Sequence, residues 1–141
     1  MELNDKVKTE LIQAALSARK KAYAPYSGYA VGAALLTKSG EVYEGCNIEN
    51  ASFGATNCAE RTAFFKAVSE GKREFAAIAI AGGKAGEDAV EYAYPCGICR
   101  QVMQEFCDKD FKILVTKSSL EYEEYVLTEI LPYGFGGGNL T

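Results

Sequence analysis

Two short segments constrain this chain more than anything else in it: Thr56-Asn57-Cys58-Ala59-Glu60-Arg61 and Pro95-Cys96-Gly97-Ile98-Cys99-Arg100-Gln101, each opening a predicted helix directly after a loop. A helix N-terminus offers unpaired N–H groups and the positive end of the macrodipole, which favours thiolate over thiol and prepares a cysteine as a metal ligand. Cys96 and Cys99 are separated by two residues, the spacing at which both sulfurs can grip one zinc, and Cys58 would supply a third ligand from the facing helix. A fold that satisfies both segments must bring two helix starts together around one ion.

The remaining composition narrows the chemistry. There are five cysteines and no histidine. An odd cysteine count without a secretory signal argues against a disulfide framework and for metal or catalytic use. The lack of histidine removes serine and cysteine hydrolases that rely on a histidine base, and leaves thiolates and carboxylates to build any transition-metal site. Met1 to Lys6 has neither a basic nor an apolar signal region, and no run approaches a membrane span, so the expected location is the cytosol, with no membrane partner. The net charge is −4, with lysines and arginines spread along the chain, which offers no footprint for nucleic acid and suits a small substrate. At 141 residues the chain is read as one domain, 1–141.

Apolar residues at helical spacing predict a first helix from Leu3 to about Ala22. Tyr29 to Leu36 and Val42 to Asn47 read as a hairpin turned by Lys38-Ser39-Gly40-Glu41. A second helix is predicted from Ala59 to about Glu70, ended by Gly71, then a buried strand from Phe75 to Ala81 entering a Gly82-Gly83 loop that lasts to Tyr94. Gly97 to Phe106 is a third helix, followed by a strand over Lys112 to Thr116. Tyr122 to Val126 would add an edge strand, Thr128 to Leu131 a helical turn, and Tyr133 to Thr141 a glycine-rich tail. Alternating strands and helices imply parallel pairing, and the fold class is an α/β, three-layer α/β/α sandwich with a mixed, roughly five-stranded sheet.

Three protein ligands leave a fourth metal position open, which distinguishes a catalytic zinc from a structural one because water there has its pKa lowered towards neutrality. Glu60 is the candidate catalytic base, able to turn towards that water if Cys58 occupies the helix cap. Arg61 and Arg100 would donate to the thiolates and offset the net negative charge of three of them on one Zn²⁺. Two blander readings stand beside this one. Cys96 and Cys99 alone could be a thioredoxin-like redox pair, and a structural zinc could take Cys46 or Cys107 as a fourth ligand, although both look like small buried hydrophobes.

The pairing of Cys-Ala-Glu with Pro-Cys-x-x-Cys is the zinc-deaminase signature. The chain resembles the small, three-cysteine cytidine deaminases, the kind that form homotetramers. The matching segments are Ala24-Pro25-Tyr26-Ser27, Val31 to Leu35, Gly45 to Ala51, Cys58 to Ala63, Pro95 to Gln101 and Leu131-Pro132. The resemblance implies one Zn²⁺ per chain, and ribose recognition by Asn47 and Glu49, residues that read by themselves as a solvated turn. It also implies that Tyr29 packs on the substrate, where the family usually has phenylalanine, and that the backbone at Ala59 meets the pyrimidine 2-oxo group. Phe135 resembles an aromatic that reaches a neighbouring subunit's site, and Phe53 one near a subunit boundary, with core packing an equal reading for Phe53.

The resemblance implies hydrolysis of free cytidine and 2′-deoxycytidine to the uridines and ammonia. Glu49 would repel a phosphate, so nucleosides should be preferred to nucleotides and polynucleotides. The rivals are a deaminase of a modified or antibiotic aminopyrimidine nucleoside, a non-catalytic zinc-stabilised binding module, and a deaminase of RNA or single-stranded DNA, for which no basic groove is visible.

Overall fold

Asn4 starts the first element: its side-chain oxygen accepts from the Val7 N–H at 2.9 Å, satisfying one of the donors that a helix start leaves unpaired. In this computed structural model, which describes residues 3–141, helix α1 spans Asp5–Ala18 and tightens into a 3-10 turn over Arg19–Lys21. The sequence pattern had predicted one continuous helix to about Ala22. Arg19 in that turn is buried, with its guanidinium bonded to the carbonyls of Ala30, Lys84 and Glu87 at 3.0, 3.3 and 3.2 Å. It ties the helix end to two strands and a loop.

Strands β1 (Tyr29–Thr37) and β2 (Val42–Cys46) form the expected hairpin, turned at Gly40 with φ of 95°, a conformation that glycine adopts without steric cost. Helix α2 spans Ala59–Ser69, β3 Phe75–Lys84, α3 Gly97–Phe106, β4 Lys112–Thr116, β5 Tyr122–Val126 and α4 Leu127–Ile130. The sheet order is β2-β1-β3-β4-β5. Only β3 and β4 run parallel, joined through α3, while the other pairs are antiparallel, so the sheet is mixed and five-stranded as predicted.

Successive side chains of a strand point to opposite faces, and here each face has its own core. On one, Ala33, Leu35, Ile78, Ile80, Ile113 and Val115 pack with Ala63 and Phe64 of α2 and Met103 of α3. On the other, Ala34, Leu36, Ala77, Ala79, Ala81 and Leu114 pack under Leu11, Ile12 and Ala15 of α1. The alanines on the α1 face leave room for close approach. At Gly32 a Cβ would stand 2.1 Å from the Ala15 carbonyl oxygen, and at Gly45, on the α2 side, 2.4 Å from that of Ala59.

Strand β3 runs further than its sequence suggested. Gly82 and Gly83 were expected to open a loop, yet they stay in the ladder opposite Val31 and Ala30. Their lack of a side chain answers crowding: a Cβ on Gly82 would lie 2.5 Å from that of Ala93 and 3.0 Å from the Tyr29 ring, and one on Gly83 2.8 Å from Arg19 Nη2. Glycine inside a strand marks such close approaches as readily as it marks a turn.

Candidate metal centre and cleft

Helices α2 and α3 begin at the same place on the sheet. Cys58 and Cys96 occupy their cap positions in extended conformation, with φ and ψ of −74° and 156° for Cys58 and −68° and 168° for Cys96. Their sulfurs lie 3.7 Å apart, and the sulfurs of Cys58, Cys96 and Cys99 all fall within 4.8 Å of one another. Zn–S bonds of about 2.3 Å in tetrahedral arrangement would separate sulfurs by about 3.8 Å, so this donor set fits zinc. The cluster holds three cysteines among the described residues, and Cys46 and Cys107 are not in it. Cys46 instead directs its thiol to the Lys21 carbonyl at 3.4 Å, and burial pushes the Cys107 thiol up, away from ionisation.

Arg61 sits one turn into α2 and donates from Nη2 to Cys58 Sγ at 3.3 Å. Its Nε is buried with no partner among the described residues, so donor capacity remains beside the sulfurs. The Cys58 thiol is drawn below its ordinary value, chiefly because the Cys99 thiol donates to it, with Arg61 and Cys96 adding to the effect and burial opposing it. Arg100 does otherwise than expected. Its Nε donates to the Pro95 carbonyl at 2.8 Å and its Nη1 to that of Ile130 at 2.7 Å, and among the described residues it has no bond to a sulfur. This arginine braces the loop before Cys96 against α4, its donors taken up by those two carbonyls.

Glu60 follows Cys58 by two residues and is 4% exposed. Burial raises its pKa to about 7, with the Cys58 charge adding to the effect, while its own backbone N–H, the Cys99 thiol and Arg61 act against it. It lines a cleft of about 410 Å³ together with Tyr29, Asn47, Glu49, Ala59 and Cys96. A larger cavity of about 660 Å³ lies beside α1, lined by Arg19, Lys20, Glu87, Asp88 and Ser118 among others, with no cysteine in its lining.

Asn47 is 9% exposed and so is not a solvated turn residue, whereas Ile48 and Asn50 after it are exposed. Its side-chain oxygen accepts from Val31 N–H at 2.8 Å and its amide donates to the Tyr29 carbonyl at 2.8 Å, extending the β1 ladder one residue past the end of β2. Glu49 accepts from the N–H groups of Tyr26 and Ser27 at 2.9 and 3.1 Å and from the Ser27 hydroxyl. Those bonds, the Ser27 hydroxyl first, hold its carboxyl below the usual range. Ala59 is fully buried at the start of α2, and Tyr29 is half-buried with its ring over Gly82. Phe135 and Phe53 are 56% and 77% exposed, and neither lines this cleft within the chain. Core packing is thereby excluded for Phe53, which rests edge-on against Tyr26 with ring centroids 6.3 Å apart.

Residues 5–115 match the family described as "Cytidine and deoxycytidylate deaminase zinc-binding region". The chain belongs to this deaminase family.

Among curated proteins, this deaminase family member is 46% identical to a cytidine deaminase of Sporosarcina psychrophila over 94% of its own length and 93% of the relative's. It is 50% identical to one of Halalkalibacterium halodurans over 89% and 91%. Among solved structures it is similar to cytidine deaminase from Burkholderia pseudomallei, with a TM-score of 0.83 and 44% identity over 94% of this chain and 100% of that one. Cytidine deaminase from Mycobacterium tuberculosis follows the same fold at a TM-score of 0.77 and 35% identity, covering 92% and 97%.

Ser27 and Tyr94 are among the residues lining the cleft that the sequence did not single out. Ser27 both orients Glu49 and, through its Oγ, accepts from Tyr29 N–H at 3.0 Å. Tyr94, placed in a charge-rich loop, lines the cleft beside Cys96. The signal for it was present in the alternation Tyr92-Ala93-Tyr94 directly before Pro95-Cys96, since aromatics concentrated in a loop are seldom there for solvation.

Proposed function

We propose that this protein hydrolyses the 4-amino group of free cytidine and 2′-deoxycytidine, giving the uridines and ammonia. The observation that carries this reading is the placement of buried Glu60 in a nucleoside-sized cleft beside three convergent cysteine sulfurs. Cys58, Cys96 and Cys99 would hold Zn²⁺, which supplies an open position where water loses a proton near neutral pH.

The other steps belong to the chain's own residues. Glu60 accepts the proton released as water's oxygen bonds to C4, and delivers it to N3 of the cytosine. Glu60 then takes the remaining proton from the oxygen now on C4 and moves it to the 4-amino nitrogen as the C4–N bond breaks, so that ammonia leaves and the 4-oxo product remains. Arg61 offsets the negative charge of the thiolates. Asn47 and Glu49 face the sugar, where an amide and a carboxylate provide the donor and acceptors a hydroxyl needs; Tyr29 offers a ring face and the Ala59 backbone meets the 2-oxo group. Glu49, ionised by its loop, disfavours a phosphate. The chain acts as one domain over 1–141 in the cytoplasm, and as a homotetramer, in which exposed Phe53 and Phe135 would be covered by neighbouring copies and Phe135 would reach a neighbour's cleft.

The test is ammonia release and ultraviolet absorbance on cytidine, deoxycytidine, cytosine and CMP, beside zinc quantification on the same protein. Turnover of the two nucleosides but not of the base or nucleotide, with one zinc per chain, is the expected result. Bound zinc without turnover of any of them would favour a modified aminopyrimidine nucleoside as substrate, or a binding module; absence of zinc would overturn the reading.

A further inference from the structure

The metal end of the cleft has a wall that neither α2 nor α3 supplies. Tyr94 lines the cleft with Ala93, Glu60 and Cys96, and its hydroxyl donates to Glu123 Oε1 on β5 at 2.6 Å. The Tyr125 hydroxyl donates to the same oxygen at 2.7 Å. Glu123 and Tyr125, two residues apart, share one face of β5, and the Tyr125 ring meets the Tyr94 ring edge-on at 6.3 Å. The Tyr92 ring also lies 6.3 Å from that of Tyr94, tilted against it, with Lys117 Nζ 5.5 Å from the Tyr92 ring centre. A half-exposed tyrosine at a cleft mouth is ordinarily free to change rotamer; this one is tied at its hydroxyl and flanked by two rings.

The position of that ring relative to a bound base follows from the proposed function, on which this inference rests. The base must present N3 to Glu60, which comes from α2, and N1 with its sugar to Asn47 and Glu49. With C4 at the reacting position beside the sulfurs, the edge left over is C5–C6 and the outward side of the 4-amino group, and Tyr94 approaches from the separate loop that leads into α3. We propose that Tyr94 is a specificity-determining residue, its pinned ring limiting the size of the group the cleft accepts at C5 and on the 4-amino nitrogen. Glu123 and Tyr125 are positioning residues that hold the ring in place.

The experiment compares kcat/KM for cytidine, 5-methylcytidine and N4-methylcytidine in the wild-type zinc-loaded protein and in Tyr94→Ala, Tyr94→Phe and Glu123→Ala. Because one methyl group in a close-fitting pocket changes selectivity by about tenfold or more, Tyr94→Ala should raise the methylated-to-unmethylated ratio by about that factor. Tyr94→Phe, which removes the donor, and Glu123→Ala, which removes the acceptor, keep the ring but cut its tether, and should raise the ratio by less. A second readout needs no turnover: affinities for uridine and 5-methyluridine measured by calorimetry should converge in Tyr94→Ala. Ratios unmoved in all three variants, or an equal fall on every substrate together with loss of zinc, would make Tyr94 a support for the Cys96 loop and overturn the assignment. Wild-type protein that fails to deaminate cytidine would instead overturn the functional reading, and the uridine pair would still test the wall.

Discussion

Cys58 and Cys96 are 38 residues apart in sequence, and their sulfurs lie 3.7 Å from each other at the starts of two different helices. Thiolates held that close repel each other unless a cation or a proton lies between them, so the arrangement and the metal support one another. Replacing Cys58 or Cys96 by alanine should reduce bound zinc from one per chain to a small fraction, read by metal analysis of purified protein. Stripping zinc from the unaltered chain with a chelator should lower its Tm. Full zinc occupancy in either variant would mean that the metal is held elsewhere.

Glu60→Gln keeps the shape of the side chain and removes its ability to take a proton. General acid–base groups contribute about 10²–10⁴-fold, so kcat should fall by that order while zinc content is retained. Since burial already disfavours the charged carboxylate, the Tm should hold or rise. Turnover near the wild-type rate would assign the proton transfers to another group.

Glu49 carries a pH dependence whose sign is set by its loop. The Ser27 hydroxyl and the N–H groups of Ser27 and Tyr26 hold its carboxyl below the ordinary 4.5, so the folded state binds this proton less readily than the unfolded chain. The stabilisation is complete above the unfolded carboxyl's range and is lost as pH falls through the depressed folded value. Thermal unfolding of wild type and Glu49→Gln across pH 3 to 7, a window of roughly that span, should show a Tm gap that is constant near neutrality and closes in acid. A gap that widens towards acid would contradict the loop's role.

Gly32 lies where α1 presses on the sheet. A Cβ there would meet the Ala15 carbonyl oxygen at 2.1 Å and the Arg19 nitrogen at 2.5 Å, backbone atoms that cannot rotate aside. Gly32→Ala should therefore cost about 3 kcal/mol, the upper end of the usual overpacking penalty, as measured by urea unfolding. A change below about 0.5 kcal/mol, typical of an unremarkable surface substitution, would show that the helix can lift without cost.

Much of the fold was legible because its signals are local. The bounds of α3, β4 and β5 match the predicted ones, for apolar spacing, a cap and a turn residue are all short-range. Where a local signal had two causes the reading slipped: Gly82 and Gly83 read as a loop but serve a crowded strand, and α4 begins one residue early at Leu127, whose buried side chain joins the core. Long side chains were the least legible. Arg61 and Arg100 stand at similar places after their cysteines, yet one reaches a sulfur and the other reaches carbonyls, since spacing says nothing of which acceptors surround a guanidinium. Asn47 looked like a turn residue because its burial depends on β1 lying beside it.

By itself, then, the sequence determined the donor chemistry, thiolates without imidazole, and the placement of three of those thiols and one carboxylate at two helix starts. It also determined the alternation of apolar residues that gives the sheet two buried faces. Tertiary structure alone decided that the two helix starts meet, that Glu60 is buried there, and that Tyr94 lines the cleft while bonded to a residue on the far edge strand. The reason is that caps and periodicities act over a few residues, whereas distances between sulfurs, desolvation of a carboxylate and the tethering of a ring depend on which strands lie side by side.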